Sequence, residues 1–383
     1  MVRNRVTLFL VAVGLAASWG LPFLTHAPNR LLSGRPIALV SILDGGKWFV
    51  LLPALFLGAS PFLPNRKSAQ CLVAGSAAAF LVALVWLAGS EAAALAEAAP
   101  RAVRTSLGSA FWIMFACAAL VLHDELRRLD APAVAQAATY AAIIVGVTAL
   151  AAAGKLDQLS LLREYAGHRD VFGAALLRHG LIVILALAPA ILLGVPLGIA
   201  AERRRRLRGV LFPLLNLIQT IPSVALFGLL IAPLSALAAS FPALGAAGVG
   251  GVGVFPAVIA LALYSLLPVA RGAAAGLAAV PPAAIEAARA IGMTARQVLW
   301  RVETPLALPV ILAGLRIAAV QAIGLAAVAA LIGAGGLGAI MFQGLFSNAL
   351  DLVLLGVVPM IGMALATDTF FALAIAVTAR VPR

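Results

Sequence analysis

The chain has 383 residues, of which 63% are hydrophobic and 11% charged, with a formal net charge of +13. A soluble domain averages about 25% charged residues. The deficit, together with repeated uncharged runs near the spanning length of ~20 residues, makes this an integral membrane protein rather than a soluble one. The basic excess lies in arginine clusters between apolar runs, as in cytoplasmic loops, so it gives no case for nucleic-acid binding.

In chain order, the apolar runs predict an all-α polytopic fold of about ten transmembrane helices. Val6–Leu24 is the first, read as a retained span because the run outlasts a signal-peptide core, although Ala16-Ala17-Ser18 could pass for a cleavage site. A loop with Pro28, Gly34, Pro36 and Gly45-Gly46 leads to the second span, Trp48–Leu63. Gln70–Gly89, Thr105–Leu122 and Ala133–Ala153 are the third to fifth, with a mixed, helical stretch Glu91–Arg104 between the third and fourth. Lys155–Arg178 mixes charges with leucines and is the clearest internal boundary. It separates an N-terminal five-span extension, 1–154, from a core, 179–383. The core spans fall at about 179–200, 209–232, 251–270, 307–332 and 352–378.

Sidedness supports the count. With ten spans and both termini cytoplasmic, Arg66-Lys67, Arg127-Arg128, the cluster Arg203–Arg206 with Arg208, the 271–306 loop and Arg380 with Arg383 share the inner side. The 155–178 segment then lies outside the cytoplasm, as does the 25–47 loop with Arg30, Arg35 and Lys47, against the trend.

Within the seventh span, Asn216, Gln219, Thr220, Pro222 and Ser223 form a polar patch. Polar groups in a span must face protein or water, and Pro222 frees the carbonyl four residues back. The patch therefore predicts a kinked helix that either lines a transport path or bonds a neighbouring helix. Asp368 is the one acid deep in the last span. It is a candidate for the path or for a helix–helix hydrogen bond, while Arg316 is expected to snorkel from the inner end of its span. Gly333-Ala-Gly335-Gly-Leu-Gly338 satisfies G-x-G-x-x-G, but no strand–turn–helix unit surrounds it, which rejects a dinucleotide site. Close helix packing or an outer gate are the remaining readings. Cys71 and Cys117 have no metal spacing and the four histidines make no cluster, so no metal site and no catalytic residues are expected.

The polar island at 281–309 is different in kind. Pro281 and Pro282 suit a first helical turn, Ile285–Ile291 reads as a short helix, and Gly292 can take the left-handed conformation that ends it. A second piece, Thr294–Val302, stops near Pro305. Glu286, Ala287, Ala288, Gly292, Val302 and Pro305 fall, with the right spacing, on a pattern that resembles the cytoplasmic loop of ABC importer permeases; Thr304 departs from it. In that family the loop is the coupling helix that sits in a groove of the ATPase subunit.

Gln219-Thr-Ile-Pro-Ser-Val-Ala-Leu226, Gly194-Val-Pro-Leu-Gly198, Gly314-Leu-Arg-Ile-Ala318 and Ile332–Gly338 look like the permeases for glycine betaine, choline and related osmoprotectants. Five extra spans before that core resemble the long, Yeh-type layout. The resemblance implies a multi-pass protein of the bacterial inner membrane, surrounded by lipid, that binds no cofactor. ATP would sit on a partner ATP-binding subunit. It also implies a periplasmic or lipid-anchored substrate-binding protein and a second permease subunit, same or different. The chain has 5 Trp and 3 Tyr, with no aromatic cluster in its core to hold a quaternary ammonium by cation–π attraction, which agrees with recognition elsewhere. A permease for another small solute such as an amino acid, and a transporter driven by an ion gradient, stay open.

Overall fold

The computed structural model describes all residues except 1–3, 30–31, 33, 44–46, 65, 98–101, 247 and 380–383. The expected inner-side charges Arg380 and Arg383, and Arg30 in the 25–47 loop, lie outside the described residues. The chain divides into two compact units, Met1–Gly167 and His168–Arg383, so the division falls inside the 155–178 stretch.

The first unit opens with helix α1 (Arg5–Gly20), whose start is capped by Asn4: its side chain accepts from the Val6 and Thr7 N–H groups. Short strands β1 (Leu24–Ala27) and β2 (Arg35–Ile37) follow, then α2 (Leu39–Ile42). Helix α3 (Leu51–Ala59) lies between 3-10 turns at Trp48–Val50 and Ser60–Phe62. Helix α4 (Lys67–Glu97) runs through the first half of the Glu91–Arg104 stretch expected to be a separate segment after the third span. Strand β3 (Arg104–Leu107) pairs antiparallel with β1 and completes a small sheet in the order β2-β1-β3. The sheet is an addition to the all-α expectation, because strands of 3–4 residues carry too little alternation to be read from sequence.

Helices α5 (Ser109–Arg128), α6 (Ala133–Ala152) and α7 (Ser160–Gly167) finish this unit. Ala110, Phe111, Met114, Ala118, Val121 and Leu122 of α5 recur at helical spacing and are buried in one cluster with Ala77, Leu81, Leu84 and Ala88 of α4. Gly108, which caps α5, is seated against Pro22 and Phe23, just before β1. A Cβ there would lie 2.2 Å from the Pro22 carbonyl oxygen, and its N–H donates to Phe23 O at 2.8 Å.

The second unit is built on α8 (Arg169–Arg203), which starts ten residues before the expected sixth span. It continues with α9 (Arg205–Thr220), α10 (Ser223–Ser240), α11 (Pro242–Ala246) and α12 (Val254–Ala278). Short helices α13 (Pro282–Ala290) and α14 (Ala295–Val298) precede α15 (Thr304–Val328), α16 (Leu337–Phe346) and α17 (Leu350–Ala379). Eight helical segments among the described residues are long and apolar enough to cross a membrane. Arg5–Gly20 and Trp48–Phe62 are shorter apolar helices.

Helix α12 is the centre of this unit, and glycines set how closely its neighbours approach. A Cβ on Gly198 of α8 would fall 2.3 Å from the Ala270 carbonyl oxygen. One on Gly314 of α15 would fall 2.7 Å from the Gly272 Cα. Gly194 meets the Val269 side chain in the same way. Small residues that let helix backbones touch are the usual device of membrane bundles. Gly198→Val should force α8 off α12 at an overpacking cost of about 1–3 kcal/mol, and so lower the thermal midpoint of the purified protein. Gly209→Ala, where a Cβ meets nothing within 4 Å, should leave that midpoint unchanged or raise it.

The Gly333–Gly338 turn is also a packed feature. Gly333, Gly335 and Gly336 have φ of 81°, 80° and 77°. The Arg178 Nε donates to Ala334 O at 2.7 Å, the Gly253 N–H donates to Ile332 O at 2.7 Å, and Gly336 rests on the backbone of fully buried His179. A turn held at these points fits the close-packing reading better than that of a flexible gate.

Candidate functional site

The polar island forms a helix–turn–helix. Pro281 is the N-cap of α13 and Pro282 its first residue. Gly292 follows with φ of 84°, its N–H donating to Arg289 O at 2.9 Å. Thr294 and Gln297 then make a capping box that starts α14. Pro305 does not stop the second piece as the sequence suggests. Residues Leu299–Glu303 widen into a π turn, and Pro305 sits in the first turn of α15, so the helix continues into the span. The π turn absorbs the bond that proline cannot donate.

The inner face of this element is fixed and its outer face is open. Ala288 and Val298 are buried, and Ile285 and Leu299 pack against Leu277, Val280, Ala307 and Ile311. Glu286, Ala287 and Gly292 are exposed, as are Ile291 at 75% and Trp300 at 60%. The exposed side thus combines one acid, three arginines (Arg289, Arg296 and Arg301) and two large apolar side chains among alanines, a surface suited to a protein groove. Ile291 and Trp300 were not singled out from sequence, although each is a large apolar residue in a polar island.

One charge pair secures the base of the loop. Arg203, the last residue of α8, donates to the carboxylate of Glu303 on the π turn, and the Glu303 side chain is 4% exposed. The pair joins residues one hundred positions apart, and no sequence spacing announces it.

The patch at 216–223 is a break between two helices, where one kinked helix was expected. α9 ends at Thr220, Ile221 is extended, and Pro222 is the N-cap of α10. The break is tied to α12 twice: Gln219 Nε2 donates to Tyr264 O at 2.7 Å, and the Tyr264 hydroxyl donates to Ile221 O. A carbonyl left open at the helix end is thereby satisfied. Thr220 donates back to Leu217 O. Ser223 is the first residue of α10.

Gln219 also lines a groove of about 400 Å³ between α9, α12 and α15, together with Arg271, Gly272, Gly314 and Gln321. Asn216 reaches this groove through Arg271, whose guanidinium donates to its Oδ1 at 2.9 Å. Thr220, Pro222, Ser223 and Asp368 do not line it. Sequence reading missed Arg271 because it placed the end of the eighth span at residue 270, whereas α12 runs on to Ala278. Gln321 is a polar residue inside an apolar span, the signal that flagged Gln219.

Asp368 is held by Arg316 in a two-point pair, with Nε and Nη2 each 2.5 Å from a carboxylate oxygen. Arg316 lies at the middle of α15, not near its end, so pairing replaces the expected snorkelling. Asp368 thus makes the helix–helix bond that the sequence offered for it, while its side chain stays 42% exposed.

The family description "Binding-protein-dependent transport system inner membrane component" matches residues 190–380, and "ABC transporter permease YehY, N-terminal domain" matches residues 3–162. The osmoprotectant import permease protein OsmW of Salmonella typhimurium is 39% identical over 213 residues, covering 56% of this chain and 93% of that one. The glycine betaine/carnitine/choline transport system permease protein OpuCD of Bacillus subtilis is 41% identical, covering 50% of this chain and 77% of that one. A solved amino acid ABC transporter is 23% identical, covering 55% of this chain and 96% of that one, with a TM-score of 0.44. The chain belongs to the inner-membrane permease family of binding-protein-dependent ABC transporters. It is a transport protein of the inner membrane, not an enzyme.

Proposed function

We propose that this chain is the translocation subunit of an ATP-driven importer for glycine betaine or a related osmoprotectant. The observation that carries the reading is the α13–Gly292–α14 element. It bears the permease loop pattern and turns Glu286, Ala287, Ile291 and Trp300 outward while its other face is locked to the ends of the core helices. In this reading a partner ATPase grips that face, ATP binding and hydrolysis on the partner move it, and the core helices alternate between outward and inward openings. The loop and both termini are cytoplasmic, a substrate-binding protein delivers the solute, and a second permease subunit completes the path. The relatives named for osmoprotectant, choline and carnitine transport support the solute class. The groove with Gln219, Arg271 and Gln321 is the part of the path that this chain supplies. It holds no aromatic side chain among its lining residues, consistent with weak, transient contact here and tight selection by the binding protein.

Mild-detergent purification of the tagged chain, with mass spectrometry of its companions, tests the proposal. An ATPase subunit and a binding protein that retains glycine betaine are expected. A binding protein loaded with an amino acid would overturn the solute class. A chain that emerges alone and catalyses gradient-driven uptake in vesicles would overturn the mechanism.

A further inference from the structure

The groove between α9, α12 and α15 carries a positive charge that its own walls do not match. The segments that form it, 216–219, 267–275 and 310–321, are described throughout and contain no Asp or Glu. Their two arginines differ. Arg316 is paired with Asp368, whereas Arg271 has no ion-pair partner among the described residues. Its hydrogen bond goes to Asn216 Oδ1, a neutral acceptor that orients the guanidinium without cancelling its charge. The side chain is exposed, so its remaining N–H donors are open to a solute in the groove.

Two amides share the groove. Gln219 Nε2 is engaged with Tyr264 O, which leaves its Oε1 free to accept, and Gln321 makes no hydrogen bond among the described residues. Gly314 packs on Gly272, beside Arg271, and Gln321 lies two helical turns further along α15. The arginine and the far amide are therefore about 10 Å apart along the helix, with Leu267, Pro268, Ala313 and Ile317 as aliphatic lining.

A guanidinium with open donors suits a carboxylate, which it can bind at two points. The same charge repels a cation that brings no anionic group. Glycine betaine carries a carboxylate beside its quaternary nitrogen, and choline carries the nitrogen alone. We propose that Arg271 binds the carboxylate of the passing solute, so that this permease favours betaines over quaternary ammonium cations that lack one. The proposal rests on the reading of the groove as part of the transport path. The quaternary nitrogen, with no N–H to donate, then lies among the aliphatic residues, with the Gln219 and Gln321 amide oxygens as its electrostatic partners.

The test takes the full-length chain in lipid nanodiscs without a binding protein, which would otherwise select the solute first. Saturation-transfer NMR reads the methyl protons of glycine betaine, of choline, and of betaine amide, which keeps the shape of glycine betaine without its negative charge. Glycine betaine should give a several-fold larger signal than the other two, and Arg271→Gln should remove the difference. Equal signals from the three solutes in the unaltered chain, or none, would overturn the carboxylate site, whatever the folding of the variant. So would a preference unchanged in Arg271→Gln. A preference seen only in nanodiscs without anionic lipid would assign the guanidinium to lipid phosphate and overturn it too. In the reconstituted transporter, Arg271→Gln should lower glycine betaine uptake about tenfold, as for one lost hydrogen bond to a charged group, and choline uptake less. Equal loss of both would make Arg271 only a tie between α9 and α12. A transporter that moves no quaternary ammonium solute would instead sink the underlying osmoprotectant reading.

Discussion

Gly292→Pro is expected to abolish uptake, and Glu286→Lys to do the same by a different route. At Gly292 the backbone has φ of 84°, which proline, fixed near −65°, cannot adopt. Proline also removes the N–H that donates to Arg289 O. Space is not the constraint, because a Cβ at this position meets nothing within 4 Å. The substitutions should therefore rank by backbone alone. Gly292→Asn is tolerated, Gly292→Ala carries about 1–2 kcal/mol of left-handed strain, and Gly292→Pro breaks the angle between α13 and α14.

Glu286→Lys isolates recognition from folding. Glu286 is exposed and makes no ion pair among the described residues, so the reversal should alter stability by no more than about 0.5 kcal/mol. Loss of glycine betaine uptake at unchanged membrane abundance is the expected result. It should be accompanied by loss of the co-purified ATPase. Full uptake by both Glu286→Lys and Gly292→Pro would remove the coupling role from this loop.

Most of this element was legible in the sequence because its determinants are local. Proline at a helix start and glycine at a left-handed end are short-range signals; the capping box of Thr294 with Gln297 is equally local, although only the start at Thr294 was read. The spans were legible because hydropathy needs no partner. What escaped needed either a third dimension or a finer boundary. The Gln219–Thr220–Ile221–Pro222 sequence suits a bend as well as a break, and the break is decided by Tyr264, which reaches Ile221 O from α12. Arg316 looked like a snorkelling residue until Asp368, fifty-two positions away, supplied its partner. Arg271 was hidden by an error of two helical turns at the end of α12. The glycine motifs were visible as patterns, but their purpose, backbone contacts such as Gly198 against Ala270 and Gly314 against Gly272, belongs to packing.

The Arg203–Glu303 pair gives the second large effect, because it joins the end of α8 to the turn through which the loop enters α15. Removing Arg203 leaves the nearly buried Glu303 carboxylate unmatched, at a cost of about 1–3 kcal/mol or more. The cost is moderated because Arg203 itself is 45% exposed. Arg203→Met should therefore lower both the thermal midpoint and uptake. The double variant Arg203→Met with Glu303→Leu separates the two effects. Replacing a buried ion pair by apolar groups of similar size is often neutral or stabilising, so the midpoint should recover. If the pair transmits motion from the proposed ATPase-docking loop to α8, uptake stays low after stability has returned, while ATP hydrolysis continues without solute movement. If uptake returns with the midpoint, the pair is a fastening and the loop moves the core through Ile285, Leu299 and the apolar cluster around Leu277 and Ile311 alone. Either result assigns the mechanical connection to particular side chains, since these are the charged and the apolar contacts by which the loop is attached.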